Sequence, residues 1–349
     1  MKGIWQHRLF WPLATLAILL AINAGFNANF LTLQWREGHL YGSLVDILKG
    51  APPLILVSLG MTLVIATRGI DISVGAVVAI SAAVAAWMIG GSLVVVDGVA
   101  THVSRFPMWA AVVAGVGVGL LCGAWNGLLV SAVGMQPIIA TLILMVAGRG
   151  VAQLVTNGQI ITIYYAPYFF IGNGYLLGLP FAFWIAMAVF AVLLLLTRRT
   201  ALGLFIQSVG INPSAARLAG LPARSITFWV YAFAGACAGV AGLIVSSTVK
   251  SADGNNAGQL LELDAILAVT LGGTALTGGR FTLAGSVIGA LIIQSLTYAI
   301  YSLGVPPEVN LVVKAAVVFA VMLLQSPEFR RTVAGWMRRP PPGAGSRTA

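Results

Sequence analysis

Apolar residues occur along this chain in long runs, which short polar or glycine-rich segments separate. A helix that crosses a bilayer needs about 20 mostly apolar residues. By that measure the pattern gives ten candidate spans, and the predicted range is eight to ten because some runs are short or contain glycine. The runs lie near residues 9–30, 44–66, 74–90, 108–133, 137–156, 181–197, 226–249, 261–277, 283–302 and 309–325. The chain is therefore predicted to be an all-α, polytopic transmembrane helical bundle.

Two of these runs contain interruptions. The proline pair 52–53 lies inside the second run, where proline kinks a helix. The apolar run 260–293 is broken by glycine pairs at 272–273 and 278–279, followed by Arg280. Lipid tolerates broken helix only where protein or a water-filled cavity covers the freed backbone, so such breaks indicate a transport pathway. A short loop between two spans is the alternative.

Positive charge orients the bundle. The first run is longer than the apolar part of a cleaved leader, about 7–15 residues, so we expect a retained first span. If the N-terminus is cytoplasmic, 13 of the 19 lysines and arginines lie on the cytoplasmic side of the membrane. Only three, Arg36, Arg105 and Lys250, lie on the outer side, and the other three lie within spans. The 13 are Lys2, Arg8, Arg68, Arg198, Arg199, Arg217, Arg224, Arg280, Arg330, Arg331, Arg338, Arg339 and Arg347. Both termini are thus predicted to be cytoplasmic, with a disordered basic, proline- and glycine-rich tail at 330–349.

Composition supports a membrane protein and excludes several classes. The chain of 349 residues is 59% hydrophobic and 8% charged, with a mean hydropathy of +0.97. Its net charge of +10 lies at span ends and forms no basic face with interleaved aromatics, which argues against nucleic-acid binding. Cys122 and Cys237 lie in apolar segments as small packing residues, and the three histidines show no metal-ligand spacing. We expect neither a metal ion nor a cofactor in this chain.

The longest predicted inner loop, 198–225, contains a short helix. Asn212 is suited to cap a helix, and Pro213 fits the first helical position. Gly220 followed by Pro222 ends it, giving about two turns from Pro213 to Ala219. Its small apolar exposed face would suit insertion into a groove of another protein. An ordinary surface turn is the alternative.

Three polar residues within or beside the spans stand out. Asp71, next to Arg68, is interpreted as one half of an ion pair at a helix start or as part of a gate. Asn126 lies in the middle of a span, where it would either line a pathway or bond to another helix. Arg149 is costly inside a membrane, so it needs a partner or a cavity, unless it snorkels to the interface.

Other polar residues are candidates for contact with a solute. Glu262 and Asp264 mark the start of the eighth run, and their two-residue spacing on a helix would point them to different faces, against paired acid–base catalysis. Lys314 in the tenth run would line the path or neutralise a carboxylate such as Glu262. Gln136, where the fifth run begins, and Gln294, within the ninth run, are further pathway candidates. The last candidates are Asn157, Asn255 and Asn256, which as loop amides would otherwise simply be solvated.

A weak internal likeness joins TRGIDIS-VGAVVAI, from Thr67, to TGGRFTLAGSVIGALI, from Thr277. Both segments follow an interrupted span and begin a new one. Symmetric repeats with broken helices place a transport pathway at their interface. Shared glycine, alanine and valine content would also produce such a likeness.

Three segments, TRGIDISVGAVVAIS (67–81), ALGLFIQSVGINPSAARLAG (201–220) and ELDAILAVTLGGTALTGGRFTLAGSVIGALII (262–293), resemble the permease subunits of bacterial sugar ABC importers of the ribose/galactose/xylose class. The motifs occur in that family's order, and the likeness covers nearly the whole chain. A more specific likeness, to the galactofuranose permeases, is carried by TLILMVAGRGVAQLVTNGQI (141–160) and ADGNNAGQLLELDAILAV (252–269).

The resemblance implies a single transmembrane permease domain, 1–329, in the bacterial inner membrane. The expected partners are an ABC ATP-binding subunit, a periplasmic sugar-binding protein, and a second permease copy or a paralogous permease. ATP and Mg²⁺ would bind to the ATP-binding subunit, since this chain has no GxxxxGK[ST] loop. In the family, the loop that docks onto the ATPase carries a G-x-N-x-x-A-A-R motif, which corresponds here to Gly210, Asn212, Ala215, Ala216 and Arg217, then Gly220.

Three other functions remain open from the sequence. An ion-coupled secondary transporter would need intramembrane carboxylates, of which Asp46 is one of few. An ABC permease for another small solute, such as an amino acid, would share the architecture. A membrane enzyme would need a catalytic cluster at a membrane face, and the sequence shows no such cluster.

Overall fold

The computed structural model describes residues 9–325, except 28, 37, 91, 97, 98 and 305. The terminal segments 1–8 and 326–349, with the predicted cytoplasmic tail, lie outside the described residues. Contacts divide the chain into two compact units, Met1–Ser295 and Leu296–Ala349.

Within the described residues the chain is mostly helical. The first seven helices are α1 Phe10–Phe26, α2 Ser43–Gly50, α3 Pro52–Ala66, α4 Val74–Ile89, α5 Met108–Leu128 (continued by a π-helical turn Leu129–Val133), α6 Pro137–Val155 and α7 Ala166–Asn173. The others are α8 Phe181–Arg199, α9 Leu202–Ile211, α10 Pro213–Leu218, α11 Ala223–Val249, α12 Leu261–Leu271, α13 Leu283–Ser302 and α14 Pro307–Gln325. The second unit contains the end of α13 and α14.

Short antiparallel strand pairs join some of the helices. The strands are β1 Gln34–Arg36, β2 His39–Tyr41, β3 Ser92–Val96, β4 Val99–Val103, β5 Ile161–Thr162, β6 Tyr175–Leu176, β7 Leu179–Pro180 and β8 Ser251–Ala252. β1 pairs with β2, β3 with β4 and β6 with β7 as local hairpins, whereas β5 pairs with the distant β8. The β5–β8 pair therefore ties the segment after α6 to the segment after α11.

Every predicted span contains a helix, but not every helix is long enough to cross a bilayer. Five described helices (α5 with its π turn, α6, α8, α11 and α13) meet that requirement by length and composition. A sixth candidate is the bent pair α2–α3, whose axes differ by 46°. The bend lies directly before the proline pair 52–53, so the predicted kink is confirmed. The count of ten spans stays a prediction.

The core of the first unit is built on α11, which packs most extensively against α5 and also against α3 and α4. Glycine makes this close packing possible. A Cβ on Gly119 would lie 2.8 Å from the Cα of Gly239, and a Cβ on Gly123 would lie 2.9 Å from the Cα of Gly235. The two helices therefore meet backbone to backbone, and any larger residue at these positions would force them apart.

Two long non-helical segments interrupt the bundle. One follows α12 and contains the predicted glycine pairs, with Gly273, Gly278 and Gly279 all at positive φ. The other, 253–260, precedes α12 in a region predicted to be a loop, but its packing against the helices was not anticipated. It lies lengthwise beside α6 and α4: a Cβ on Gly254 would lie 3.0 Å from the backbone of Ala152, and one on Gly258 would lie 2.7 Å from the carbonyl of Gly75. α12 has only 11 residues because it ends at Leu271, directly before the glycine pair 272–273.

Candidate functional site

The predicted short helix of the 198–225 loop exists as α10. The Asn212 side chain accepts hydrogen bonds from the backbone N–H groups of Ser214 and Ala215, both at 3.0 Å, and thus caps the helix. At the other end, Gly220 has φ +82°, and the N–H of Leu221 donates to the carbonyl of Ala216 at 3.0 Å. These bonds form a left-handed glycine cap, the predicted helix end. α10 is therefore a preorganised turn of helix.

The residues of the docking motif divide into an exposed set and a buried set. Ala215 and Arg217 are exposed, and the neighbouring Leu218 is 91% exposed. Ala216 instead packs with Val209 beneath the helix. The exposed surface of α10 therefore carries an alanine, an arginine and a leucine, while the buried set fixes the helix to the bundle.

Gly210 belongs to a contact between three connections, which we call the glycine junction (Ala66, Arg68, Gly210, Ile211 and Gly279). The N–H of Gly279 donates to the carbonyl of Ala66 at 2.9 Å. The Arg68 guanidinium donates to the carbonyl of Ile211 at 2.5 Å. A Cβ on Gly210 would collide with the carbonyl oxygen of Ala66 and the nitrogen of Gly279. The turn that leads into α10 is thus fastened to the end of α3 and to the loop before α13.

The two segments with an internal likeness share a backbone device. α3 ends with Arg68 at φ 65° and a bond from the N–H of Gly69 to the carbonyl of Val64 at 2.9 Å. α12 ends with Gly273 at φ 85° and a bond from the N–H of Thr274 to the carbonyl of Val269 at 3.2 Å. Each helix is therefore closed by a left-handed residue before the chain turns into the next helix.

The predicted ion pair between Asp71 and Arg68 is wrong. Asp71 is 1% exposed and accepts hydrogen bonds from the backbone N–H (2.9 Å) and hydroxyl (2.6 Å) of Ser73. The left-handed conformation of Arg68 directs its side chain instead toward Ile211. Local capping by Asp71 thus replaces the expected pairing of opposite charges.

Asn126 forms the interhelical bond that was one of its two predicted roles. Its Nδ2 donates to the hydroxyl of Ser73 at 2.8 Å and lies 3.5 Å from Oδ1 of Asp71. Its Oδ1 is buried without a hydrogen-bond partner among the described residues. Asp71, Ser73 and Asn126 thus form a buried polar cluster that joins α5 to the start of α4.

Arg149 holds the segment 253–260 in place. Its Nη1 donates to the carbonyl of Ala257 at 2.5 Å and to that of Asn255 at 3.2 Å. On the same helix, Gln153 donates to the side-chain oxygen of Asn255 at 2.5 Å. We call this set, with Asp253, the arginine clamp. The sequence predicts that Arg149 needs a partner or a cavity, and the structure gives it two backbone carbonyls as partners.

Asp253 adds charge to the arginine clamp. Burial works to raise the pKa of its carboxyl, but hydrogen bonds from the Asn256 side chain and from the backbones of Asn255 and Asn256, together with the charge of Arg149, outweigh burial. The pKa of Asp253 therefore lies below its ordinary value of 3.8. The Asn256 amide donates to Oδ2 of Asp253 at 2.7 Å. Asn256 thus supports this turn and, though exposed, has a structural role.

Glu262 and Asp264 face different surroundings, as the spacing predicts. Glu262 is 4% exposed, and its Oε2 lies against Gly75 with no hydrogen-bond partner among the described residues. Asp264 is half-buried. Arg149 is a cation in electrostatic reach of Glu262.

The remaining pathway candidates are dispersed. Gln136 is exposed where α6 begins, and Asn157 is exposed at φ 53° where α6 ends. Gln294 packs so closely against Gly50 that a Cβ there would collide with it. Lys314 is half-buried on α14 in the second unit. The structure gathers Asp71 with Asn126, and Arg149 with Asn255, but it does not bring all the candidates together.

Among the described residues, no group of three or more histidine, cysteine, aspartate or glutamate side chains is arranged to hold a metal ion. Arg68, Gln153 and Gly279 make contacts in these sites that the sequence did not predict. The only sequence signals for them were the glycine pair at 278–279 and the likeness between the segments from Thr67 and Thr277.

Comparison with known proteins places these features in a family. The family described as "Branched-chain amino acid transport system / permease component" matches residues 43–322. The galactofuranose transporter permease protein YtfT of Escherichia coli is 46% identical over 335 residues, which cover 95% of this chain and 94% of that protein. No solved structure matches this chain.

Two further relatives also match over nearly their whole length. The fructose import permease protein FruF of Bifidobacterium longum is 37% identical over 345 residues, 97% of this chain and 93% of that protein. The ribose import permease protein RbsC of Escherichia coli is 35% identical over 318 residues, 90% of this chain and 92% of that protein. The chain therefore belongs to the family of transport-system permease components that the match over residues 43–322 defines.

Proposed function

We propose that this chain is the membrane-spanning permease subunit of an ATP-binding-cassette importer, which moves a monosaccharide from the periplasm to the cytoplasm. The observation that carries the proposal is the end-to-end similarity to permeases named for galactofuranose, fructose and ribose. Galactofuranose is the favoured sugar because that relative has the higher identity, 46% against 37% and 35%. The family description names branched-chain amino acids, so an amino acid is the second candidate substrate.

The proposed topology has ten spans in the inner membrane, with both termini in the cytoplasm. Contacts within the first unit support it. The connections predicted to be cytoplasmic meet one another, as at the bond from Gly279 to Ala66. Those predicted to be periplasmic also meet one another: the N–H of Leu40 donates to the carbonyl of Gly178 at 3.1 Å, and β5 pairs with β8.

Energy for transport comes, in this proposal, from partner ATP-binding subunits that hold ATP and Mg²⁺. α10 is the proposed docking element, because its caps fix its shape and its tip at Leu218 is exposed and apolar. A periplasmic binding protein delivers the sugar, and a second permease copy or a paralogue completes the pathway. Movement of α10 would reach the end of α3 and the loop before α13 through the glycine junction.

Sugar-stimulated ATP hydrolysis in liposomes tests the proposal. The chain is co-expressed with the ATP-binding subunit and binding protein encoded nearby, and galactofuranose, galactopyranose, ribose, xylose and leucine are supplied in turn. We expect stimulation that requires this chain and is largest with galactofuranose. Stimulation by leucine alone would favour the amino-acid permease, and uptake that persists without ATP would favour an ion-coupled carrier.

The role of α10 has its own test in the double variant Asn212→Ala/Arg217→Glu. Loss of the cap costs the helix about 1 kcal/mol, and the reversed charge alters its exposed face. We expect uptake to fall strongly while the amount of protein in the membrane is unchanged. Arg199→Glu, at the exposed end of α8, is the matched control and should transport normally. Normal uptake in the double variant would contradict the docking assignment.

A further inference from the structure

A cavity of about 380 Å³ lies beside α10. Its walls come from the connection after α3, the π-helical turn after α5, the start of α6, α10, and the start of α11. Three arginines line it: Arg68, Arg217 and Arg224. All three are exposed, and none of the other described residues that line the cavity is acidic. The cavity thus concentrates positive charge from three separate elements.

The helix ends at this cavity add to its positive potential. α6 begins at Pro137 and α11 begins at Ala223, and both positions contribute to the wall. Neither helix has a side-chain hydrogen bond at its N-cap or an acidic residue in its first turn. The free N–H groups and the dipole of a helix N-terminus favour a negative group.

The arginines keep most of their hydrogen-bonding capacity. The Arg68 guanidinium donates to the carbonyl of Ile211, and Arg217 Nε donates to the carbonyl of Pro213 at 3.3 Å. A guanidinium carries five N–H donors in a planar fork suited to a carboxylate or a phosphate. The cavity therefore has the charge and the donors to hold an anionic group.

We propose that this cavity receives an acidic side chain of the ATP-binding subunit, an inference that rests on the proposed function. Charge complementarity selects an anionic group, and the place beside the exposed tip of α10 selects the docked subunit as its source, where the anionic side chains are carboxylates. One carboxylate bound there bridges α10 to the start of α11 and to the connection between α3 and α4. The ATP-binding subunit then acts directly on the connection between α3 and α4, as well as indirectly through α10 and the glycine junction.

Binding of the ATP-binding subunit to the purified permease tests this proposal, with Arg224→Glu as the main variant. Arg224 lies outside the docking motif, so its loss leaves the caps of α10 intact. We expect the affinity to fall about tenfold at about 50 mM NaCl and the difference from wild type to shrink at about 500 mM. Arg224→Lys should recover most of the affinity, and Arg198→Glu, an exposed arginine outside the cavity wall, should bind as wild type does.

A photo-crosslinker at position 224 provides an independent measurement. We expect it to join a peptide of the ATP-binding subunit that contains aspartate or glutamate. Unchanged affinity of Arg224→Glu, or an equal loss in Arg198→Glu, would overturn the proposal. Crosslinking to lipid, with ATPase activity of Arg224→Glu reduced only in vesicles that contain phosphatidylglycerol, would also overturn it, in favour of a headgroup phosphate. Failure of the wild-type chain to bind any ATP-binding subunit would instead refute the proposed function.

Discussion

The glycine junction and the arginine clamp both hold non-helical chain inside a helical protein, yet they use different chemistry. At the glycine junction, backbone meets backbone: the Gly279 N–H bonds to the Ala66 carbonyl, and Gly210 leaves no room for a side chain. At the arginine clamp, one side chain reaches across from α6 to two carbonyls of the segment 253–260. The first contact requires that position 210 carries no side chain, and the second requires the guanidinium of Arg149.

This difference determines what each contact responds to. The bond from the Gly279 N–H to the Ala66 carbonyl involves no titratable group, so it is insensitive to pH, and the lack of space at Gly210 makes the glycine junction intolerant of substitution there. A side-chain clamp tolerates conservative substitution but is weakened when its charges are removed. We therefore expect the segment 253–260 to detach at a lower free-energy cost than the connections at the glycine junction.

Gly210→Ala should have the largest effect. Its Cβ would collide with Ala66 and Gly279, and overpacking of this kind costs about 1–3 kcal/mol or more. We expect the free energy of unfolding in nanodiscs to fall by about 3 kcal/mol, with loss of uptake. Gly117→Ala on α5, where a Cβ meets nothing within 4 Å, is the control and should be neutral or slightly stabilising. Equal behaviour of the two variants would show that the glycine junction is not tightly packed.

Arg149→Met should have the next largest effect. The variant loses two charge-assisted hydrogen bonds and leaves the buried Glu262 without its nearby cation, which together should lower the free energy of unfolding by about 2 kcal/mol. Arg105→Met removes only an exposed cation–π contact with Trp87 at 5.5 Å, worth about 0.5–1 kcal/mol. Faster hydrogen exchange in 253–260 for Arg149→Met, but not for Arg105→Met, would localise the loss to the arginine clamp.

The arginine clamp should weaken in acid, whereas the glycine junction should not. Since the pKa of Asp253 is depressed in the folded state, its contribution is fully present above its ordinary pKa of 3.8 and is lost as the pH falls through the lower folded value. Hydrogen exchange in 253–257, measured between about pH 5 and pH 3, should rise relative to that in 278–280. Asp253→Asn should abolish this relative rise, and a rise that persists in the variant would exclude Asp253 as its cause.

Gln153→Ala should have the smallest effect. It removes one exposed bond to Asn255, worth about 0.5–1 kcal/mol, and leaves both Arg149 bonds in place. Thermal unfolding should therefore shift by no more than a few degrees. A loss as large as that of Arg149→Met would show that the amide, and not the guanidinium, holds the segment.

The sequence predicts well those structural features that a few neighbouring residues determine. Asn212, Pro213 and Gly220 specify α10 because caps act over three or four residues, and the proline pair 52–53 specifies the bend before α3. It fails where the partner is distant. Arg68 bonds to Ile211, 143 positions away, so proximity to Asp71 in sequence misled the prediction.

The segment 253–260 was predicted to be a loop, but its packing against α4 and α6 was missed for a related reason. Its conformation is fixed by Arg149 on α6 and by the close approach of Gly258 to α4, neither of which leaves a local pattern. The sequence did indicate that Arg149 needs a partner, because an unpaired arginine in a span is costly. It did not indicate that the partner would be carbonyl groups more than 100 residues away.

The glycine contacts between α5 and α11 also constrain how the molecule moves. Helices that touch backbone to backbone cannot slide or rotate past one another without separating, so we expect this pair to move as a single body. Angular change is then taken up where helix is absent, at the connection after α3 and at the two segments that flank α12. We therefore expect the seam formed by Gly119, Gly123, Gly235 and Gly239 to stay rigid while these three non-helical connections act as hinges.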